Sequence, residues 1–277
     1  RGETETFTIT MDIAHVAAGI VDHWSASITA GNDDTQANSH NGETTVASVS
    51  GVSASIGTSS GSALPGNDVT YSFVITNTGN AEETFSYSAS SGNDWGLAVA
   101  GSEVTLGMGQ THTVEVTHTV SELASSGDTD VISFNVGEFP DGDGATATTT
   151  AGQTYGVSIA LGTSTLPSTL NPGDSFTTSY TVTNTGNGAD DFSVFFDAAW
   201  MSSSSGTSLS LAEGASGTST LTITVPNDAA SGSSFTASAS VAGGGGETAS
   251  YGPQTITVAD NTRSATVSTD SASYNHN

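Results

Sequence analysis

An all-β fold built as tandem β-sandwiches is what this 277-residue sequence predicts, and three observations carry the prediction. The first is a long internal repeat. PGNDVTYSFVITNTGNAEETFSYS from Pro65 returns as PGDSFTTSYTVTNTGNGADDFSVF from Pro172, a period of about 105 residues. A solenoid unit runs to roughly 20–50 residues, whereas one small sandwich takes about 100. The second is period-two alternation: Val69, Tyr71, Phe73 and Ile75 fall on one face, and Thr70, Ser72, Val74 and Thr76 on the other. The third is that helical periodicity is nearly absent.

Taken in order, residues 1–50 read as the back half of a sandwich. Gly2–Ile9 is similar to Gly217–Ile223, Trp24–Ile28 falls where Phe235–Val241 falls, and Thr44–Val52 falls where Gln153–Val157 falls. Phe7, Ile9, Trp24, Ile28, Val46 and Val49 would then supply one side of a core. Met11–Ile20 aligns with Ser121–Ala124 and Asn227–Ala230 and is expected to hold a single helical turn in a crossover loop. Residues 51–153 and 154–259 are the two complete sandwiches. Phe73, Phe85 and Trp95 are expected to be buried together in the first, with Tyr180, Phe192 and Trp200 in the corresponding places of the second. Pro65-Gly66, Pro172-Gly173, the two Asn-Thr-Gly-Asn stretches at Asn77 and Asn184, Gly127-Asp128 and Gly142–Gly144 supply turns. Residues 260–277 form a tail in which Ser264–Thr269 alternates like one more strand, Ala265 and Val267 sharing a face. The chain is thus expected to begin and end within a repeat.

Composition narrows the partners. Only 11% of residues are charged, and 28 Asp and Glu face two basic residues, Arg1 and Arg263, for a net charge of −26. Nucleic acid and anionic lipid require a basic footprint, so neither is expected as a partner. Apolar residues make up 34% and the 33 Gly add to that, which is enough for a core. Without Cys there is no disulfide framework and no thiolate chemistry. The longest apolar run, Ile13–Val21, is far short of a membrane span and contains His15, so no membrane insertion is expected. The chain lacks Asn-x-Ser/Thr acceptors, leaving the Ser/Thr-rich faces open to O-linked sugar.

The second repeat carries a set of motifs: Pro172-Gly173-Asp174, Val182–Asn187, Trp200, Leu211–Gly214 and Val225–Gly232. The first keeps Asn77–Asn80 and Trp95 but has Thr117–Val120 where the second has Val225-Pro226. Together they resemble the immunoglobulin-like domains of the NEW3 and CARDB type, tandem modules of secreted bacterial and archaeal proteins. The resemblance implies the fold and an extracellular or cell-surface place. It is nearly silent on function, because such modules serve as spacers, adhesive stalks, filament subunits and enzyme accessories.

Candidate chemistry is sparse. Gly57–Gly61 matches the nucleophile-elbow spelling without the strand-to-helix context that the chemistry needs. Leu166–Thr169 reads as a turn. His112 and His118 share a strand face with Val114 and Val116, either flanking a core or binding a metal, with no third ligand at fixed spacing. Glu138, Asp141 and Asp143 place three carboxylates in a Gly-rich loop, which suits either Ca2+, a cation that takes six to eight oxygens, or a solvated acidic surface. No convergent acid, base and nucleophile is visible, so the chain is not expected to be an enzyme.

The expected function is that of a subunit of an extracellular filament or surface layer, a homopolymer joined head to tail. Ala265 and Val267 of one copy would add a strand against Phe7, Ile9, Trp24 and Ile28 of the next. The alternative is an adhesive or carbohydrate-binding stalk module of a larger surface protein, with glycans as partners.

Overall fold

The computed structural model of the protein describes residues 5–14, 16–30, 33–137, 142–162 and 166–260, with the backbone alone at Ala30 and 33–37. All regular structure among them is strand. Two compact units divide the chain, Arg1–Gly152 and Gln153–Asn277.

The first unit opens with β1 (Val21–Ala30) and β2 (Asp33–Thr45), an antiparallel pair that forms a two-stranded sheet by itself. A sandwich follows, made of β3 (Val52–Ile56), β4 (Ser60–Ala63), β5 (Asp68–Asn77), β6 (Glu83–Ser91), β7 (Gly96–Val99), β8 (Glu103–Leu106), β9 (Thr111–Thr119), β10 (Thr129–Val136) and β11 (Asp143–Ala151). One sheet has the order β3-β5-β9-β7 and the other β4-β11-β10-β6-β8. Pairing is antiparallel except between β4 and β11, the sandwich's first two strands, β3 and β4, being divided between the two sheets. The alternation drives the closure. Tyr71, Phe73 and Ile75 of β5 and Val114 and Val116 of β9 face Phe85 and Tyr87 of β6 and Ile132, Phe134 and Val136 of β10, all buried. Phe73 and Phe134 stack across the sheets with centroids 4.6 Å apart. Each such side chain withdrawn from water contributes about 1.5–3 kcal/mol.

The second unit repeats this plan strand for strand. Its elements are β12 (Val157–Leu161), β13 (Thr169–Leu170), β14 (Ser175–Asn184), β15 (Asp190–Ala198), β16 (Met201–Ser205), β17 (Ser208–Leu211), β18 (Ser216–Thr224), β19 (Ser234–Gly243) and β20 (Thr248–Val258). The sheets are β12-β14-β18-β16 and β13-β20-β19-β15-β17, with β13 parallel to β20. The fold is therefore all-β with tandem immunoglobulin-like sandwiches. In both, an Asn closes the β5-type strand: Asn77 Nδ2 donates to the Ala81 and Leu106 carbonyls while its Oδ1 accepts from Gly79 N–H, and Asn184 does the same with Gly188, Leu211 and Gly186.

Four expectations need correction. The described residues of Met11–Ile20 contain no helical turn; only Ala18-Gly19 form a turn, and the segment is tied by Gly19 N–H to Val46 C=O and by Ala18 N–H to Asn80 C=O. Thr6–Ile9, within the stretch similar to Gly217–Ile223 of β18, joins no ladder among the described residues, although β1 leaves one edge unpaired there. Trp95 does not join Phe73 and Phe85 but packs in a separate cluster with Val120, Ala124 and Ala151. Likewise Phe192 sits in one cluster of the second sandwich with Val182 and Val241, while Tyr180 belongs to another, with the partly buried Trp200 against it.

Candidate functional site

The surface that stands out is apolar and lies on the N-terminal part of the first unit. In β1 and β2 the register places Asp22, Trp24, Ala26 and Ile28 on one face, opposite Thr44, Gly42, His40 and Asn38. Trp24 lies across Gly42, where a Cβ would come within 2.3 Å of the indole Cζ2, and His40 tilts toward the ring at 6.0 Å. Nothing covers this face among the described residues: Ile28 is 59% exposed. Phe7 is 71% exposed, Ile9 55% and Val49 61%. Met11, Ile13, Val16, Ile20, Val21 and Val46 line a groove of about 420 Å³ beside the pair, rimmed by Asp12 and Asp22. A soluble chain normally buries such side chains or uses them for contact. Of the residues expected at a subunit interface, Trp24 and Ile28 share one face of β1 and Phe7 and Ile9 are exposed ahead of it, while Ala265 and Val267 lie outside the described residues.

The acidic loop resolves in part. Glu138 and Asp141 lie outside the described residues. Asp143 begins β11 and spends both oxygens on backbone, Oδ2 accepting from Ala54 N–H at 2.9 Å and Oδ1 from Gly144 N–H at 2.8 Å. Those two bonds hold its carboxyl below the usual range and pin β11 to β3. A second acidic pair, Asp190 with Glu247, escaped the sequence reading. Its signal was the run Gly243–Gly246, whose missing Cβ atoms leave room for carboxylates: Glu247 Oε1 occupies the space above Gly243, and Asp190 Oδ1 that above Gly244. Asp190 Oδ2 and both Glu247 oxygens are buried, and no well-formed hydrogen bond reaches them. Burial, and then the neighbouring Asp190, push the Glu247 carboxyl up, so the pair is suited to sharing a proton. Among the described residues no three His, Asp or Glu side chains converge as a metal site.

His118 is not a surface ligand. It is fully buried, its Nδ1 2.7 Å from Thr149 Oγ1 and its Nε2 3.0 Å from Asp130 Oδ2, with Trp95 stacked on the ring at 5.5 Å. Tyr71 OH reaches Thr149 Oγ1 at 2.9 Å. Asp130 also accepts from Ser91 Oγ, from Asn93 N–H at 2.8 Å and from Val131 N–H at 2.7 Å. Burial alone would raise its pKa, but the bonds from Ser91, Asn93, His118 and Val131 outweigh it and hold the group below the usual range. The sequence did carry a trace of this: Asp130 shares its face of β10 with Ile132, Phe134 and Val136, an inward position for a charge. His112 points to the same side and is only half-buried. Gly57–Gly61 runs into edge strand β4, with Ser59 C=O accepting from Thr148 N–H. Leu166 packs against the core of the second sandwich, next to β13.

The VWA7 Ig-like domain family matches residues 160–260, which is the second sandwich and less than half of the chain. No curated protein matches the chain. Among solved structures, the D00-D0 domain of intimin is 11% identical, covering 76% of this chain and 100% of its own, with a TM-score of 0.33. An ICAM-5 D1–D4 ectodomain fragment is 11% identical over 77% of this chain and 53% of its own, with a TM-score of 0.38. Elastase-activated alpha-2-macroglobulin of Escherichia coli is 11% identical at a TM-score of 0.28, and the chain spans 24% of its length. The family match places an immunoglobulin-like domain at residues 160–260.

Proposed function

We propose that the protein is a structural subunit of an extracellular filament or surface layer, in which copies join head to tail. The observation that carries the reading is a two-stranded sheet with no third strand among the described residues, in a region where the apolar side chains of Phe7, Ile9, Ile28 and Val49 are each exposed. An isolated strand pair is marginal in water, and an uncovered edge invites another strand. Ser264–Thr269 of a second copy fits that need: Ala265 and Val267 alternate with small polar residues and would lay one apolar face on the pair. Because donor and acceptor surfaces differ, the contact need not close and generates a fibre. The resemblance to modules of secreted bacterial and archaeal proteins supports an extracellular place. No catalytic role is proposed.

A second reading rests on Trp24. The cavity of about 620 Å³ formed by His23, Trp24, Ser25, Asn41, Gly42 and Glu43 combines an indole with polar side chains, which suits a sugar ring in a stalk or adhesive module. Deleting residues 264–277 separates the two. In the subunit reading the full chain forms long particles by light scattering and negative-stain imaging, and the truncated chain remains monomeric with both sandwiches folded. Fibres of normal length from the truncated chain would overturn strand donation. A monomeric full chain whose glycan binding is lost in Trp24→Ala would support the stalk module instead.

A further inference from the structure

The two Asn-Thr-Gly-Asn turns treat the chain entering their sandwiches in the same way. In the first, Asn80 is 6% exposed and directs its amide at the segment ahead of β3. Its Oδ1 accepts from Val49 N–H at 2.8 Å, its Nδ2 donates to Ala47 C=O at 3.0 Å, and its own N–H donates to Val49 C=O at 3.1 Å. Thr78 and Gly79 N–H both donate to Gly51 C=O, at 2.9 and 3.1 Å. In the second, Asn187 Oδ1 accepts from Thr154 N–H at 2.6 Å, Asn187 N–H donates to Thr154 C=O at 3.2 Å, and Thr185 N–H donates to Gly156 C=O at 2.9 Å.

Glycine completes the fit from both sides. A Cβ on Gly79 would lie 2.5 Å from Val49 O, and one on Gly186 would lie 2.5 Å from Thr154 O. On the entering segment, a Cβ at Gly51 would meet Thr78 Oγ1 at 2.7 Å, and one at Gly156 would meet Thr185 Oγ1 at 2.5 Å. None of these four glycines has a left-handed φ. At Gly79 and Gly186 close approach of two backbones, not turn conformation, is what demands Gly, and at Gly51 and Gly156 the threonine hydroxyl of the turn takes the space. The entering residues otherwise differ, Val49-Ser50 in one case and Thr154-Tyr155 in the other, so the recognition is of main chain plus a glycine two residues on.

We infer that the Asn-Thr-Gly-Asn turn is a clasp for an extended segment ending in Gly, by which each sandwich immobilises the stretch of chain that precedes it. Asn77 and Asn184 shape the turn, and Asn80 and Asn187 do the gripping. The segment between strands is thereby held by side-chain and backbone hydrogen bonds rather than left as a free tether.

Backbone amide exchange in the full chain tests this. Val49 N–H and Thr154 N–H are expected to exchange at least about tenfold more slowly than in Asn80→Ala and Asn187→Ala respectively, a local opening cost of the kind that hydrogen exchange reads. Each variant should affect its own segment alone, with Phe73 and Val114 amides unchanged in Asn80→Ala. Asn80→Asp keeps the acceptor for Val49 N–H and should keep that protection. The inference fails if Val49 and Thr154 exchange freely in the unaltered protein. It fails equally if Asn80→Ala exposes Phe73 and Val114 as much as Val49, because the side chain would then hold the sandwich and not the segment.

Discussion

Tyr180 and Phe73 occupy the same place in their strands, the sixth residue of β14 and of β5, and differ by one hydroxyl. That hydroxyl is buried beside Tyr251 without a hydrogen-bond partner, and burial pushes its pKa up. An unsatisfied buried polar group costs about 1–3 kcal/mol. Tyr180→Phe is therefore expected to stabilise the second sandwich by about 1 kcal/mol in denaturant unfolding, and a loss of stability would mean that the hydroxyl has a partner. The His118 network makes the opposite comparison. Tyr71, Ser91, His118, Asp130 and Thr149 stand at the strand positions that Thr178, Ala198, Ile223, Phe235 and Ile256 hold in the second sandwich. One sandwich solves this layer with hydrogen bonds, the other almost wholly with apolar contact. Breaking a buried pair leaves the remaining partner stranded, so Asp130→Ala should cost about 3 kcal/mol or more. The pH dependence follows from the depressed carboxyl: its contribution is full above the ordinary value of 3.8 and is lost as pH falls through the lower folded value. The first sandwich should lose this contribution on acidification below about pH 4, which separate tryptophan-fluorescence titrations of single-Trp variants would read. An acid profile of the first sandwich unchanged by Asp130→Asn would refute the assignment.

At the scale of elements, the N-terminal strand pair and the β10–β11 hairpin share a topology but not an environment. β10 is flanked by β6 as well as β11 and faces a second sheet, whereas among the described residues β1 has β2 alone. Amides of β1 and β2 should accordingly exchange much faster than those of β10 at low protein concentration, and gain protection as concentration rises if a second copy covers them. Protection equal to that of β10 in a dilute monomer would remove the argument for an open face. Strand positions were legible in the sequence wherever apolar and Ser/Thr residues alternate, as along β5, β9, β14 and β18, because the period fixes which face turns inward. Edge strands such as β16, Met201–Ser205, have no such pattern, being exposed throughout. The unpaired state of Thr6–Ile9 was illegible for another reason: alternation records a preference for a ladder and carries no word of whether a partner strand is within reach. The apolar side chains of the candidate surface were legible by type, whereas the Asp190–Glu247 pair depended on a contact across 57 residues of sequence that no local pattern encodes.

At the scale of the whole molecule, 28 acidic side chains against two basic ones make self-repulsion a general opposing force on the folded state. Salt should relieve it, since the screening length falls to about 10 Å at 0.1 M. Melting temperature is expected to rise from millimolar to molar NaCl with a chelator present, and a flat profile would contradict the charge argument. Ca2+ that adds no more than its ionic strength would leave the loop of Glu138, Asp141 and Asp143 as a solvated acidic surface. The clasp has a consequence of a different kind. Its two halves, the segment at Val49–Gly51 and the turn at Asn77–Asn80, lie close together near the start of one repeat, as do Thr154–Gly156 and Asn184–Asn187. A duplication or deletion of DNA by one whole repeat therefore copies or removes both halves at once and never leaves a turn without its segment. Recombination between repeats of such a gene would therefore be expected to yield chains in which each turn keeps the segment that it holds.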